Sequence, residues 1–309
     1  MSHQIGYRGL FVFCIVACLS AAAMTPATAA DRRGSQLFEG MQATGKPAMV
    51  IAGNEGCVYC RQIAAELDSN PQLAPFVAQM FVVKIDIGDP SWQAIKQEFQ
   101  YDGSGIPAVL FVRADGTLIY GEPGKPADMQ KFLAGLFEKA GKLLPPEQLK
   151  LMSRDGRKLK TAVLRKDWAT VGELATQHGG TGSYAEWPLA FTQAGEQLVQ
   201  QATESVAVAA EQLADEATRP QGAIALVEAS IDYETYQPAS EIVVAAIEQA
   251  RQGESEALLA EALSLSKGVQ AERTKNRGAA REVYAAFLQE HADSQLAPLV
   301  SAKLKSLGG

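Results

Sequence analysis

Two closely spaced cysteines are the residues of this chain best suited to chemistry. Cys57 and Cys60 stand three positions apart in the segment GCVYC at 56–60. In a helix, positions i and i+3 lie on the same side with Cβ atoms ~5–6 Å apart. A disulfide closes when the two Cα atoms are ~4.4–6.8 Å apart. The pair can therefore open and close with little backbone movement, which suits thiol–disulfide exchange.

The predicted position of the pair at a helix start favours reactivity. Residues 57–67 have a helical pattern, which places Cys57 at the N-terminus of the helix. Unpaired N–H groups and the positive end of the helix dipole favour a thiolate there, and the thiolate is the nucleophile. We expect Cys57 to attack a substrate disulfide and Cys60, shielded one turn deeper, to release the product thiol. The reverse sequence would oxidise a substrate.

Other uses of two cysteines fit the chain less well. A zinc site needs about four ligands, and the nearest candidates, His178 and His291, lie far away in sequence. A c-type haem needs His after the second cysteine, where Arg61 stands. A structural staple across so short a loop would constrain little of the unfolded chain. Delivery of Cu(I) by the two thiolates is a further possibility, but no Met or His flanks the pair. We expect neither a metal nor a diffusible cofactor.

The N-terminus predicts export. Arg8 precedes an apolar run at 10–23, and Ala27-Thr28-Ala29 supplies a small-residue cleavage site, as in a secretory signal over residues 1–30. The run is shorter than the ~20 residues of a spanning helix. Cys14 and Cys18 would leave with the signal, and the bacterial periplasm is the expected location. Alternatively, residues 15–18 resemble a bacterial lipobox, with Cys18 as the lipid anchor.

Composition limits the classes of function. The chain has 309 residues, 47% hydrophobic and 20% charged, which is typical of a globular protein with room for two domains. The net charge of −7, with no run of Lys or Arg, argues against a nucleic-acid surface.

Residues 45–140 alternate strand and helix patterns. Strands are predicted at 47–52, 81–87, 108–113 and 118–120, and helices at 57–67, 71–80, from Asp89-Pro90 onward, and at 129–140. Asp115-Gly116 suits a hairpin turn. The order predicts a parallel pair joined by a helical crossover and then a terminal hairpin. The fold class is therefore α/β, with a mixed sheet flanked by helices.

The remainder of the chain predicts helices alone. Two prolines at 145–146 mark the boundary, so we expect an α/β domain over 31–144 and an all-α domain of helical hairpins over 145–309. Helical patterns fall at 167–177, 187–213, 220–229, 238–251, 255–265, 279–289 and 295–307. The last two loosely resemble a tetratricopeptide-type pair, without a fixed repeat period. The expected role is dimerisation or partner docking.

Three segments together resemble the thioredoxin superfamily, in its exported thioredoxin-like branch. They are GCVYC between a strand and a helix, the strand at 81–87 with Lys84, and Gly105-Ile106-Pro107 before a strand that leads to Asp115-Gly116. The resemblance covers about residues 46–140. It implies a thiol–disulfide oxidoreductase acting on protein substrates, with a redox partner that recharges the couple.

The resemblance also implies the roles of residues around the cysteines. It implies a cis bond between Ile106 and Pro107, which presents the backbone of Ile106 to an extended substrate segment. Tyr59 would also contact the substrate. Gly56 stands where the family often has Trp.

Two departures from the family affect the chemistry. Ile51 stands where many thioredoxins carry a buried carboxylate, so proton transfer would use water, Lys84 or Glu55. Val58-Tyr59 replaces the Gly-Pro of general reductases, and this dipeptide tunes the reduction potential. We slightly favour a reductase over an oxidase. The alternative is a redox-silent adaptor with a permanently closed disulfide, whose helical domain binds protein partners.

Overall fold

The structure, a computed structural model, describes residues 29–308, with side chains described from residue 36 onward. Most of the predicted signal, with Cys14 and Cys18, lies outside the described residues. Among the described helices, none combines the length and the apolar character needed to cross a membrane.

A four-stranded mixed sheet forms the centre of the N-terminal region. Its strands are β1 (Ala48–Gly53), β2 (Phe81–Asp86), β3 (Ala108–Val112) and β4 (Leu118–Pro123), in the order β2-β1-β3-β4. β1 runs parallel to β2 and antiparallel to β3, and β3 and β4 form the hairpin. The predicted mixed sheet is confirmed. β1 and β3 are buried along their whole length because they are the central strands, with helices on both faces.

Five helices accompany the sheet in the described part of this region. They are α1 (Ala29–Thr44), α2 (Val58–Ser69), α3 (Ala74–Val77), α4 (Pro90–Glu98) and α5 (Met129–Ala140). Successive residues of β1 point to opposite faces. Met49 and Ile51 therefore pack with Ile63 of α2 and Leu133 of α5, in one core cluster. Val50 packs on the other face in a second cluster, which includes residues of α1 and α4.

Helices form the described part of the chain beyond residue 145. They are α6 (Pro146–Arg165), α7 (Trp168–His178), α8 (Glu186–Ala214), α9 (Arg219–Asp232), α10 (Gln237–Ala250), α11 (Glu256–Ser264), α12 (Ser266–Arg273), α13 (Arg277–Glu290) and α14 (Ala297–Ser306). One core cluster joins α6 to α10 around Phe191 of α8, and a second joins α9 to the last helices around Tyr284. The predicted helical C-terminal part is confirmed. The helix predicted at 187–213 is the continuous helix α8.

A loop between α7 and α8 connects the two regions. The guanidinium of Arg113 lies 3.7 Å from the ring centre of Tyr184, and the N–H of Lys142 donates to the carbonyl of Gly182 at 2.8 Å. Ser183 is buried nearby. Arg113 follows the end of β3 that pairs with the start of β1. The helical region therefore attaches at the end of the sheet where β1 begins, about 20 Å from the end where β1 finishes.

Candidate active site

Cys57 and Cys60 form a disulfide at the start of α2, with their Cα atoms 5.3 Å apart. Cys57 is the N-cap residue of α2, and its Sγ accepts the N–H of Cys60 at 3.1 Å. A tight turn precedes the helix, in which the N–H of Cys57 donates to the carbonyl of Asn54 at 3.0 Å. The turn connects the helix directly to the end of β1. The structure therefore places the pair at a helix N-terminus, as the sequence predicts.

The burial of the two cysteines differs from the prediction. Cys57 is only 5% exposed, whereas Cys60 is partly exposed. The side chain of Cys57 folds back over the first turn of α2 and lies against Gly53, while Cys60 lines an open groove. In this disulfide form Cys60 is the more exposed of the two residues, so the prediction that it is shielded is wrong.

Gly53, the last residue of β1, makes room for the disulfide. A Cβ atom placed on Gly53 would lie 2.1 Å from Sγ of Cys60 and 3.4 Å from Sγ of Cys57. No side chain fits there unless the disulfide moves. The carbonyl of the preceding residue, Ala52, lies 4.0 Å from Sγ of Cys60.

We expect Gly53→Ala to slow disulfide exchange about a hundredfold, because displacement of reacting atoms by about 1 Å has an effect of that size. The rate of insulin reduction measures it. The control is Gly135→Ala on α5, where an added Cβ meets no atom within 4 Å. If Gly53→Ala reduces insulin as fast as Gly135→Ala does, the close packing against Cys60 has no part in the reaction.

Apolar side chains flank the disulfide. Val58 is 54% exposed, Tyr59 57% and Ile106 37%. The bond between Ile106 and Pro107 is cis, as the family resemblance implies. Because Ala52 pairs with Ala108 in the antiparallel register of β1 and β3, the next step along that register sets Pro107 opposite Gly53. The structure thus brings Tyr59, Ile106 and Pro107 to the end of the sheet that carries the cysteines.

Lys84 lies on the Cys60 side of the disulfide. It pairs with Ile51 in the register of β1 and β2, and both residues line a groove of about 290 Å³ together with Cys60. Ile51 is 3% exposed and supplies no ionisable group. Nζ of Lys84 lies 3.0 Å from a carboxylate oxygen of Asp68 in an exposed ion pair.

The residues around the disulfide are similar to those of a known protein family. Residues 35–114 match a protein family described as thioredoxin-like. The matched residues run from α1 through the disulfide and the cis proline to the hairpin turn. The N-terminal region is a thioredoxin-like domain.

A disulphide isomerase from Xylella fastidiosa Temecula1 is similar, with 27% sequence identity over 37% of this chain and 96% of that one, at a TM-score of 0.29. Comparison with curated proteins gives no significant match.

Two residues of the thioredoxin-like domain have contacts at the site that the sequence did not predict. The guanidinium of Arg61 donates to the backbone carbonyl of Glu55, closing the turn before Cys57. The carboxylate of Asp68 on α2 forms an ion pair with Nζ of Lys84 on β2. The first contact uses a backbone carbonyl, and the second joins residues of separate elements. Neither contact can be predicted from a local sequence pattern. Gly56 and Glu55 themselves are exposed on this turn.

The histidines considered as metal ligands lie outside the thioredoxin-like domain. His178 is buried in the helical region, where Nε2 lies 2.9 Å from a carboxylate oxygen of Asp155. His291 stacks on Phe287 of α13. In the part of the chain that the structure describes, no three His, Cys, Asp or Glu side chains are grouped to hold a metal ion.

Proposed function

We propose that this protein is an exported thiol–disulfide oxidoreductase that exchanges disulfides with protein substrates and acts as a reductase. The thioredoxin-like fold with a Cys-x-x-Cys pair supports the oxidoreductase class. The observation that carries the proposal is the Cys57–Cys60 disulfide on the first turn of α2, beside the exposed side chains of Tyr59 and Ile106.

The reaction begins from the reduced pair. The Cys57 thiolate attacks one sulfur of a substrate disulfide; that S–S bond breaks, and the other substrate sulfur leaves as a thiolate that takes up a proton. The Cys60 thiol loses its proton and attacks Sγ of Cys57, which releases the second substrate thiol and forms the Cys57–Cys60 disulfide. Two electrons pass to the substrate, so a protein redox partner must reduce the pair again.

The helix start supports the first step. Sγ of Cys57 accepts the N–H of Cys60 at 3.1 Å, and the same donor can stabilise a thiolate at this position. Attack by Cys57 requires the substrate to reach a residue that is 5% exposed in the disulfide form. We propose that an extended substrate segment approaches along the backbone of Ile106, with Tyr59 contacting its side chains.

The proton of Cys60 needs an acceptor other than a buried carboxylate, because Ile51 occupies that position. The groove beside Cys60 opens to solvent and is lined by Lys84. We assign the transfer to water in this groove, which is lined by the charged residues Lys84, Arg61 and Asp86. Glu55 does not line this groove in the described structure; its carbonyl is held by Arg61.

The cellular location of the reaction is also a proposal. The apolar run at 10–23 with the small-residue site at 27–29 supports export, and we propose the bacterial periplasm. An anchor through Cys18 is the alternative. A single close pair of cysteines in residues 31–309 suits an oxidising compartment, where other free thiols would be a hazard.

Measurement of the reduction potential of the Cys57–Cys60 pair tests the direction of the reaction. For a reductase we expect a value near ~−270 mV, whereas a value near ~−120 mV would mark an oxidase. The protein is equilibrated with glutathione or with a thioredoxin of known potential. Thiol alkylation and mass spectrometry then give the reduced fraction, from which the reduction potential is calculated. Insulin reduction with a chemical reductant as the electron source gives the matching turnover.

The burial of Cys57 favours a second candidate, the redox-silent adaptor. A permanently closed disulfide would leave the helical region to bind protein partners, and Cys57 is largely covered. This candidate predicts a potential well below ~−300 mV, as in structural disulfides, and no insulin turnover. That pair of results would reject the oxidoreductase.

A further inference from the structure

The outer face of α6 concentrates positive charge in an otherwise acidic protein. Eight of the 28 Lys and Arg residues of the chain lie between positions 142 and 166, where only Glu147 and Asp155 are acidic. The whole chain carries a net charge of −7. Six exposed cations form what we name the cationic face: Lys150, Arg154, Arg157, Lys158, Lys160 and Arg165.

Helical spacing aligns these cations although they form no run in the sequence. At 3.6 residues per turn, Lys150, Arg154, Arg157 and Arg165 fall along one line of the helix surface, about 22 Å long. Lys158 and Lys160 lie on either side of that line. The opposite side of α6 packs into the core through Met152, Leu159 and Ala162. Because this opposite side is fixed in the core, the cationic face must point to solvent.

Half of the cationic face has no internal charge partner. Arg154 and Lys158 lie 3.3 and 3.6 Å from the buried carboxylate of Asp155. Lys160 lies 4.0 Å from Glu186. Lys150, Arg157 and Arg165 make no side-chain ion pair or hydrogen bond with any residue that the structure describes. Their charge is available to an external anion.

Exposed leucines accompany the cations. Leu164 is 69% exposed and lies between Arg157, Lys160 and Arg165 on the helix surface, and Leu151 is 39% exposed at the edge of the face. Apolar side chains among cations fit the boundary between lipid headgroups and acyl chains. They would add nothing to contacts with a nucleic-acid backbone, which are made by polar and charged groups.

We propose that the cationic face of α6 binds the surface of a membrane rich in anionic phospholipid. A convex helix offers no pocket to enclose a single anion, but it can lie against a flat array of many. Basic segments near a membrane are attracted to anionic headgroups, and the two leucines can enter the headgroup layer. This proposal does not depend on the chemistry proposed for Cys57 and Cys60.

Vesicle co-sedimentation tests the proposal with the full chain. We expect binding to vesicles of phosphatidylcholine mixed with phosphatidylglycerol and much weaker binding to phosphatidylcholine alone, with the difference lost at high salt. The triple variant Lys150→Glu, Arg157→Glu and Arg165→Glu should bind the anionic vesicles about a hundredfold or more weakly, because each cation near such a surface contributes substantially.

The matched control reverses three exposed cations elsewhere, Lys131→Glu, Lys267→Glu and Arg277→Glu. These lie in the first turns of α5, α12 and α13, where an acidic residue is favourable, so the control should fold and bind anionic vesicles as the unaltered chain does. All three proteins share residues 1–28, so any binding through the apolar N-terminal run is common to them.

Three outcomes would overturn the proposal. They are equal binding of the two triple variants, equal binding to neutral and anionic vesicles, and binding to polyglutamate without binding to vesicles. The last would indicate an acidic protein partner. Because insulin reduction is measured separately, absence of binding by the unaltered chain to anionic vesicles, with intact insulin reduction, rejects this proposal and leaves the proposed function standing.

Discussion

Replacing Cys57 by serine is expected to abolish disulfide exchange. A hydroxyl cannot attack a disulfide in place of a thiolate, and the remaining Cys60 thiol has no resolving partner. Cys60→Ser should instead keep the first step and lose the second, so a mixed disulfide between Cys57 and the substrate should accumulate. Insulin reduction measures the loss of turnover, and non-reducing electrophoresis with mass spectrometry identifies the trapped complex.

The pair of variants also decides which sulfur attacks. Cys60 is the more exposed residue in the disulfide form, so the opposite assignment is a real alternative. It predicts that Cys57→Ser traps substrate on Cys60 and that Cys60→Ser traps nothing. That pattern would contradict the role assigned to the helix N-terminus. Val58→Ala is the control, because it alters an exposed neighbour of the pair without removing a sulfur.

Phe191→Ala is expected to lower the free energy of unfolding of the helical region by about 3–5 kcal/mol. Phe191 of α8 is completely buried in the core cluster that joins α6 to α10, and its ring lies 4.7 Å from that of His178. Truncation leaves a cavity that the surrounding helices cannot fill. Urea unfolding followed by far-ultraviolet circular dichroism measures the change.

The control for this truncation lies on the same helix. Val208 of α8 is 52% exposed, so Val208→Ala should change the free energy of unfolding by no more than about 0.5 kcal/mol. If both variants unfold at the same urea concentration, α8 does not form the centre of the helical region, and the packing described here is wrong.

The elements that the sequence predicted best carry their own local signals. Asp89 accepts the N–H of Ser91 at 2.9 Å as the N-cap of α4, with Pro90 as the first helical residue. Asp115-Gly116 forms the hairpin turn, where Gly116 has a φ of 89°. Continuous apolar runs likewise located β1 and β3. Such signals are read from a few neighbouring residues and need no knowledge of the rest of the fold.

Two helices of the C-terminal part were missed for lack of such signals, and α1 was not predicted either. α6 follows Pro145, which makes no side-chain capping hydrogen bond, and Asp155 and Gly156 interrupt its buried face. The fold compensates for both residues. Asp155 is bonded to His178 of α7 at 2.9 Å, and Gly156 lies so close to Trp187 of α8 that a Cβ atom there would be 1.9 Å from the ring. α12 begins at Ser266, with only Leu265 between it and α11, and Leu265 makes no side-chain capping hydrogen bond that would signal a new helix.

The residues of the candidate site could be predicted from the sequence, but the relative exposure of the two cysteines could not. The spacing of the two cysteines located the pair, and the family resemblance of the segment at 105–107 implied the cis proline. Which of the two cysteines is covered depends on how Gly53, at the end of a buried strand, meets the first turn of α2. That contact joins separate elements, so the order of burial came out opposite to the expectation.

The position of the loop that packs Tyr184 against Arg113 affects how the protein can evolve. The loop contacts the thioredoxin-like domain at the end of the sheet remote from the cysteines. Changes in the helices therefore need not disturb the disulfide chemistry. Mutation can therefore alter the surface of the helical region while the reactive end stays constant.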